Sequence, residues 1–143
     1  MTTPPSVLFV CVKNAGKSQM AAALTRHHAG DQVTVHSAGT HPGTVLNAES
    51  VAALAEVGAT TQGEHPKPLD LALLATVDVI VILGHDAELP DTTAAPVQRW
   101  DTDEPSLRGI TGMPRMRLIR DDINTRVITL LQALMPTDFN STT

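Results

Sequence analysis

The sequence predicts an α/β protein, a parallel sheet covered by helices on both faces, because strand-like and helix-like stretches alternate along the chain. Three observations carry this. Ser6–Val12 and Val77–Leu83 are nearly unbroken apolar, β-branched runs, the pattern of strands buried on both faces. The first run passes through a short turn, Lys13–Gly16, directly into a helical pattern. The last third carries apolar residues at helical spacing. With 143 residues, 42% of them hydrophobic, the chain is expected to form one domain over residues 1–143 around one continuous core.

Taken in order, Ser6–Val12 is the first strand. Lys17–His28 follows as a helix with one buried stripe at Met20, Ala21 and Leu24, stopped by Gly30. Gln32–His36 alternates Val33 and Val35 with polar residues and reads as a short strand ending in the turn-rich Ser37-Ala38-Gly39-Thr40-His41-Pro42-Gly43. Asn47 is a candidate N-cap for a helix bearing Val51, Leu54, Ala55 and Val57 and ending near Gly58; the polar, proline-broken Thr60–Pro68 is a loop. Leu69–Ala75 is a short helix and Val77–Leu83 the third strand. Pro96–Trp100 opens on a proline, which suits an edge strand. After a loop over Asp101–Met113, the series Met116, Ile119, Ile123, Val127, Leu130, Leu131 and Leu134 predicts a long helix with Pro114 in its first turn and Pro136 as its stop. The polar tail, residues 137–143, is expected to fray.

Composition narrows the function. Basic residues are scattered, the formal net charge is −5, and there are two Phe, one Trp and no Tyr. Such a chain offers neither a phosphate-tracking stripe nor a base-stacking platform, so nucleic acid is not an expected partner. No apolar stretch is long enough for a membrane span, and Met1–Pro5 lacks the positive charge of a signal peptide, so a cytoplasmic protein is expected. The six histidines form no metal-ligand spacing and read as surface or loop residues, and no metal or tightly bound cofactor is expected. Arg115, Arg117 and Arg120 with Asp121 and Asp122 read as a charged helix face.

The single cysteine, Cys11, excludes a disulfide within these residues and stands where chemistry is expected in a parallel sheet, at the carboxyl end of a central strand. A buried cysteine is often only packing. Here, however, Cys11-Val12-Lys13-Asn14-Ala15-Gly16-Lys17-Ser18 turns from strand into helix within eight residues, which gathers backbone N–H groups around a hollow suited to a tetrahedral oxyanion. Ala15 and Gly16 let the backbone close, and Asn14 tolerates unusual dihedrals while offering an amide to fix the loop. The helix dipole and the N–H groups favour a thiolate at Cys11. Lys17 and Ser18 add a cation and a hydroxyl. The loop is not a nucleotide-binding P-loop: Gly16-Lys17-Ser18 matches the end of that motif, but the first glycine is missing.

Val7-Leu8-Phe9-Val10-Cys11 running into Asn14-Ala15-Gly16-Lys17-Ser18-Gln19-Met20-Ala21, then His36-Ser37-Ala38-Gly39-Thr40, and finally Trp100-Asp101-Thr102-Asp103-Glu104-Pro105, closely resembles arsenate reductases built on the low-molecular-weight protein tyrosine phosphatase fold. The resemblance spans nearly the whole chain. It implies a four-stranded parallel sheet flanked by helices, an oxyanion loop over Val12–Ser18, Cys11 as nucleophile with Lys17 beside it, and an acid from the loop before Pro105, either Glu104 or Asp103 in preference to Asp101. Two departures matter. The family loop usually carries arginine where Lys17 stands, so a point charge replaces a bidentate clamp. The thioredoxin-linked members relay oxidation through two further cysteines after the third strand, whereas Gly84–Val97 has none. The resemblance therefore implies an external thiol, mycothiol, as co-substrate and a mycoredoxin-type partner, with arsenate as substrate and detoxification of arsenic as the role. A phosphotyrosine-type phosphatase and a non-catalytic oxyanion-binding or regulatory protein are the alternatives.

Overall fold

The computed structural model describes residues 3–91 and 93–135. Pro136 and the tail 137–143 lie outside the described residues. In chain order the elements are β1 (Ser6–Cys11), α1 (Lys17–Ala29), β2 (Thr34–Gly39), α2 (Ala48–Glu56), α3 (Leu71–Thr76), β3 (Val79–Leu83), β4 (Val97–Trp100) and α4 (Gly112–Leu134). The four strands form one parallel sheet in the order β2-β1-β3-β4. This is the α/β architecture that the alternation of strands and helices predicts.

Because side chains alternate across a strand, the two central strands supply both cores. Val7, Phe9, Val81 and Leu83 face α1, α2 and α4, while Leu8, Val10, Ile80 and Ile82 face the short α3 side around Leu74 and Val77. Phe9 and Trp100 pack with their rings tilted by 56° and centroids 5.8 Å apart. α4 buries Met116, Ile119, Ile123, Val127, Leu130 and Leu131, the face that the helical spacing predicts. Asn47 caps α2 as expected, its side chain accepting the Ser50 N–H at 2.9 Å.

Three expectations need correction. The strand expected at Gln32–His36 is displaced: Gly30–Gln32 forms a 3₁₀ turn, and β2 runs on through Ser37-Ala38-Gly39, because Val10 and Cys11 offer Ala38 and Gly39 a ladder to pair with. α1 is buried not on one stripe but at every residue from Ser18 to Thr25, since α2 and α4 cover the side turned away from the sheet and its alanines leave them room. The stretch 101–113, expected as loop, contains a 3₁₀ turn at Pro105–Arg108, and α4 begins at Gly112, two residues before Pro114.

The strand ends are level. Cys11 pairs with Gly39, Val10 with Ile82, and Leu83 with Trp100, so the residues that follow β1, β3 and β4 leave the sheet along one edge. No described helix is long and apolar enough to cross a membrane.

Candidate active site

The loop after β1 is shaped from outside. Its carbonyl oxygens are drawn outward: Thr40 N–H donates to the Cys11 oxygen (3.1 Å), His41 to Val12 (2.8 Å), Gly43 to Lys13 (2.9 Å) and Asn47 to Ala15 (2.8 Å). With the carbonyls engaged there, the loop's N–H groups are left for the hollow. α1 begins at its rim with no side-chain cap and no acidic residue in its first turn, so the positive end of the helix also serves the hollow. Cys11, half-buried, sits in this loop. Its Sγ lies 2.9 Å from the Ser18 Oγ and accepts the Asn14 N–H at 3.2 Å.

Asn14 is the keystone of the loop. It is fully buried and is the one described non-glycine residue with a positive φ, 52°. Its Nδ2 donates to the Ser18 Oγ at 2.7 Å, and its Oδ1 accepts the Lys67 N–H at 2.9 Å and the Gln19 Nε2 at 3.2 Å. Gln19 donates as well to the Asn14 and His65 carbonyls. Lys67 is tied in turn by its Nζ to the His65 carbonyl (2.9 Å), the Ser37 Oγ (3.3 Å) and Glu64 (3.3 Å). Gln19 and Lys67 are functional supports that sequence reasoning missed. Lys67 stands 53 positions from Asn14 and no local pattern links them.

The glycine that this packing requires is Gly39 of β2. A methyl group there would stand 2.6 Å from the Val12 carbonyl and 3.0 Å from Asn14, whereas one at Gly16 would meet only the Ser50 Oγ at 3.6 Å. Gly39→Ala is expected to lower stability by about 2 kcal/mol, as overpacking against backbone does. A thermal melt should show it as a fall of about 8 °C.

Lys17 reaches from the loop into an adjoining cleft of about 530 Å³ whose far wall is the segment after β4. The structure thus brings Lys17 together with Asp103 and Glu104, but it binds both acids to arginines. Arg115 grips Glu104 with two bonds of 2.8 Å, and Arg108 grips Asp103 at 2.8 and 3.0 Å. Arg115 above all, helped by the Ser106 hydroxyl and N–H, holds the Glu104 carboxyl down at about 2; Arg108 likewise lowers Asp103. Such pairing keeps both carboxyls ionised, so neither carries the proton that a general acid must hold. Asp101 instead places its Oδ1 2.8 Å from the His85 Nε2, on the same cleft. Arg115, Arg117 and Arg120 form the charged helix face that the sequence suggests, and it is paired to other elements: Arg117 and Arg120 reach across to Glu56 on α2, at 2.8 Å each.

The Arg115–Glu104 pair carries a pH dependence of stability. A carboxyl held below its ordinary 4.5 stabilises the fold at pH values above 4.5, and the contribution is lost as pH falls from about 4.5 to about 2. Because the pair is partly exposed, its contribution is about 1 kcal/mol. Arg115→Gln should lower the urea midpoint at pH 7, with the difference from the unsubstituted protein shrinking as the unfolding buffer approaches pH 2.

A larger hollow, about 700 Å³, lies along β2 between Arg26 and Lys67 and includes no residue of the Cys11–Ser18 loop. His36, half-buried there, is held below its usual value chiefly by burial and then by Arg26. Among the described residues no three His, Cys, Asp or Glu side chains are grouped to hold a metal ion.

An open parallel sheet with a lone thiol in the strand-to-helix loop at its carboxyl edge defines an α/β protein whose loop N–H groups can receive an anion. A family model described as low molecular weight phosphotyrosine protein phosphatase matches residues 6–138, and the chain belongs to that family. It is 30% identical over 132 residues to an arsenate reductase of Halalkalibacterium halodurans, covering 88% of this chain and 94% of the relative. It is 31% identical over 130 residues to an arsenate reductase of Brevibacillus brevis, covering 89% and 94%. The solved thioredoxin-dependent arsenate reductase of Corynebacterium glutamicum superposes with a TM-score of 0.75 at 28% identity, over 96% of this chain and 66% of that longer one.

Proposed function

We propose that this protein is an arsenate reductase of the arsenate-mycothiol transferase type, acting in the cytoplasm in arsenic detoxification. The observation that carries the reading is the place of Cys11: the one sulfhydryl in 143 residues lies in the oxyanion loop, within hydrogen-bonding reach of the Ser18 hydroxyl and the Asn14 N–H. The loop N–H groups with Lys17 hold arsenate against that sulfur. The relatives named arsenate reductases support the choice of arsenic over phosphorus.

In the reaction so read, the Cys11 thiolate attacks arsenic in line, an As–O bond breaks, and the protonated oxygen leaves as water. The chain has no second cysteine with which to resolve the Cys11 adduct, so a thiol from outside must take the arseno group. Mycothiol is that thiol in this reading, and a mycoredoxin-type protein then reduces the arseno-mycothiol product and releases arsenite. Lys17, a point charge where relatives of this resemblance carry arginine, suits charge neutralisation more than two-pronged recognition of a phosphate ester.

The test is arsenite production by purified protein supplied with mycothiol and mycoredoxin in one arm and with the thioredoxin system in the other. Turnover is expected only in the first arm. Turnover with thioredoxin alone would overturn the choice of thiol. Absence of turnover in both arms, with hydrolysis of an aryl phosphate, would make the protein a phosphatase.

A further inference from the structure

The positive charges of this chain are unevenly satisfied. Of its ten lysines and arginines, eight lie within ion-pair distance of a carboxylate, from Arg26 and Lys67 on Glu64 to Arg126 on Asp122. The two that pair with none among the described residues are Lys13 and Lys17, and both belong to the loop Cys11–Ser18. In a chain of formal net charge −5, the positive potential left unneutralised is thus concentrated beside the one thiol. Two like charges on one short loop repel each other, and an anion held by that loop offsets the repulsion.

Lys17 is half-buried and precedes Ser18, whose Oγ is 2.9 Å from the Cys11 Sγ. Lys13 differs in being exposed. Its position relative to the sulfur follows from covalent geometry. The Asn14 N–H that meets Sγ at 3.2 Å is bonded to the Lys13 carbonyl carbon, so the Lys13 Cα lies within about 6 Å of the sulfur. The Lys13 carbonyl is tied outward to the Gly43 N–H at 2.9 Å, which fixes the backbone, while the ammonium on its flexible four-carbon stem is able to follow an incoming ion. At an ionic strength of about 10 mM, where the Debye length is about 30 Å, every rotamer of that stem leaves its charge felt at the sulfur.

We infer that the Lys13 side chain is a further binding element of this loop: together with Lys17 it draws a small tetrahedral oxyanion from solution and neutralises it on entry. The inference rests on the oxyanion-loop reading proposed above. Lys13 serves capture, and the chemical step stays with Cys11, Ser18 and Lys17. An exposed cation attracts the free ion and the reacting ion alike, so its contribution falls on KM and on the salt dependence and not on kcat. A unit charge about 8 Å from a dianion in water strengthens binding about sixfold before screening.

Phosphate titration followed by amide NMR, together with steady-state arsenate turnover, tests this in three variants. Lys13→Gln removes the charge, Lys13→Arg keeps it, and Arg117→Gln removes one from a residue paired with Glu56 and belonging to neither the loop nor the adjoining cleft. At about 10 mM ionic strength Lys13→Gln is expected to raise the Kd for phosphate and the KM for arsenate about fourfold, with kcat unchanged, and at about 200 mM the rise should shrink below about twofold. Lys13→Arg and Arg117→Gln should both stay within about twofold of the unsubstituted protein. An unchanged Kd in Lys13→Gln overturns the inference. An equal rise in Arg117→Gln overturns it too, because net charge and not place would then be the cause. A rise that high salt leaves undiminished, or that Lys13→Arg shares, assigns the effect to loop shape and overturns the electrostatic role. If the unsubstituted protein shows these phosphate effects and reduces no arsenate, the arsenate reading falls and the role of Lys13 stands; if it binds no phosphate, both fall.

Discussion

Cys11→Ser is expected to abolish turnover, by about 10³-fold or more, while leaving the fold and the anion site intact. Removing a covalent nucleophile costs rate on that scale because what remains is binding alone. The structure says why the rest survives. A serine hydroxyl is smaller than the thiol and can keep both of its neighbours, the Asn14 N–H at 3.2 Å and the Ser18 Oγ at 2.9 Å, and no carbonyl that shapes the loop is touched. A change of stability under about 1 kcal/mol is therefore expected. Phosphate titration should give an affinity close to that of the unsubstituted protein, and arsenite release should vanish. Residual turnover near the original rate would move the nucleophile away from Cys11.

The second large effect belongs to Asn14→Ala, a side chain that never meets solvent. Asn14 sits at φ 52°, a left-handed conformation that asparagine tolerates and that costs most other residues about 1–2 kcal/mol. Truncation also strands the part-buried Lys67 N–H and removes two side-chain bonds, to Ser18 and Gln19. A stranded part-buried donor costs about 1 kcal/mol and each lost bond about as much, so the sum after relaxation is about 3 kcal/mol, a large share of the stability of a domain this size. Urea unfolding should report it. Activity of the folded fraction should fall about a hundredfold, since the Ser18 hydroxyl beside the sulfur loses its anchor and small misplacements of reacting groups cost that much. Asn14→Gly separates the two causes: it restores the dihedral freedom and keeps the lost hydrogen bonds lost, so it should recover stability by about 1 kcal/mol and little activity.

Patterns that repeat locally were legible in the sequence. The Phe9 and Val81 runs announce central strands, the Met116-to-Leu131 spacing announces α4, and Asn47 announces a cap. What escaped depends on distant partners. Ser37-Ala38-Gly39 has turn composition and yet forms strand, because it pairs with Phe9, Val10 and Cys11, and position 39 is glycine because the Val12 carbonyl leaves no room for a side chain. The loop Cys11–Ser18 was visible as a nest, and Asn14 as its shaper, but Lys67 and Gln19, which hold Asn14, carry no motif. Glu104 and Asp103 look like free acids until the 3₁₀ turn and α4 bring Arg108 and Arg115 to them. His85 and Asp101 lie 16 positions apart at the ends of two neighbouring strands, and only the sheet register makes them neighbours.

The outward ties of the loop carbonyls to Thr40, His41, Gly43 and Asn47 have a consequence for selectivity. A ring of amide donors whose shape is set at folding senses only tetrahedral outline and negative charge, and arsenate and phosphate share both. On the function proposed above, such a ring would admit the two anions on nearly equal terms, and phosphate would be a standing competitor for the loop. Discrimination would then fall to the bond-breaking step, where sulfur must displace oxygen from the central atom, and a preference for one element would be expressed as a rate, not as an affinity.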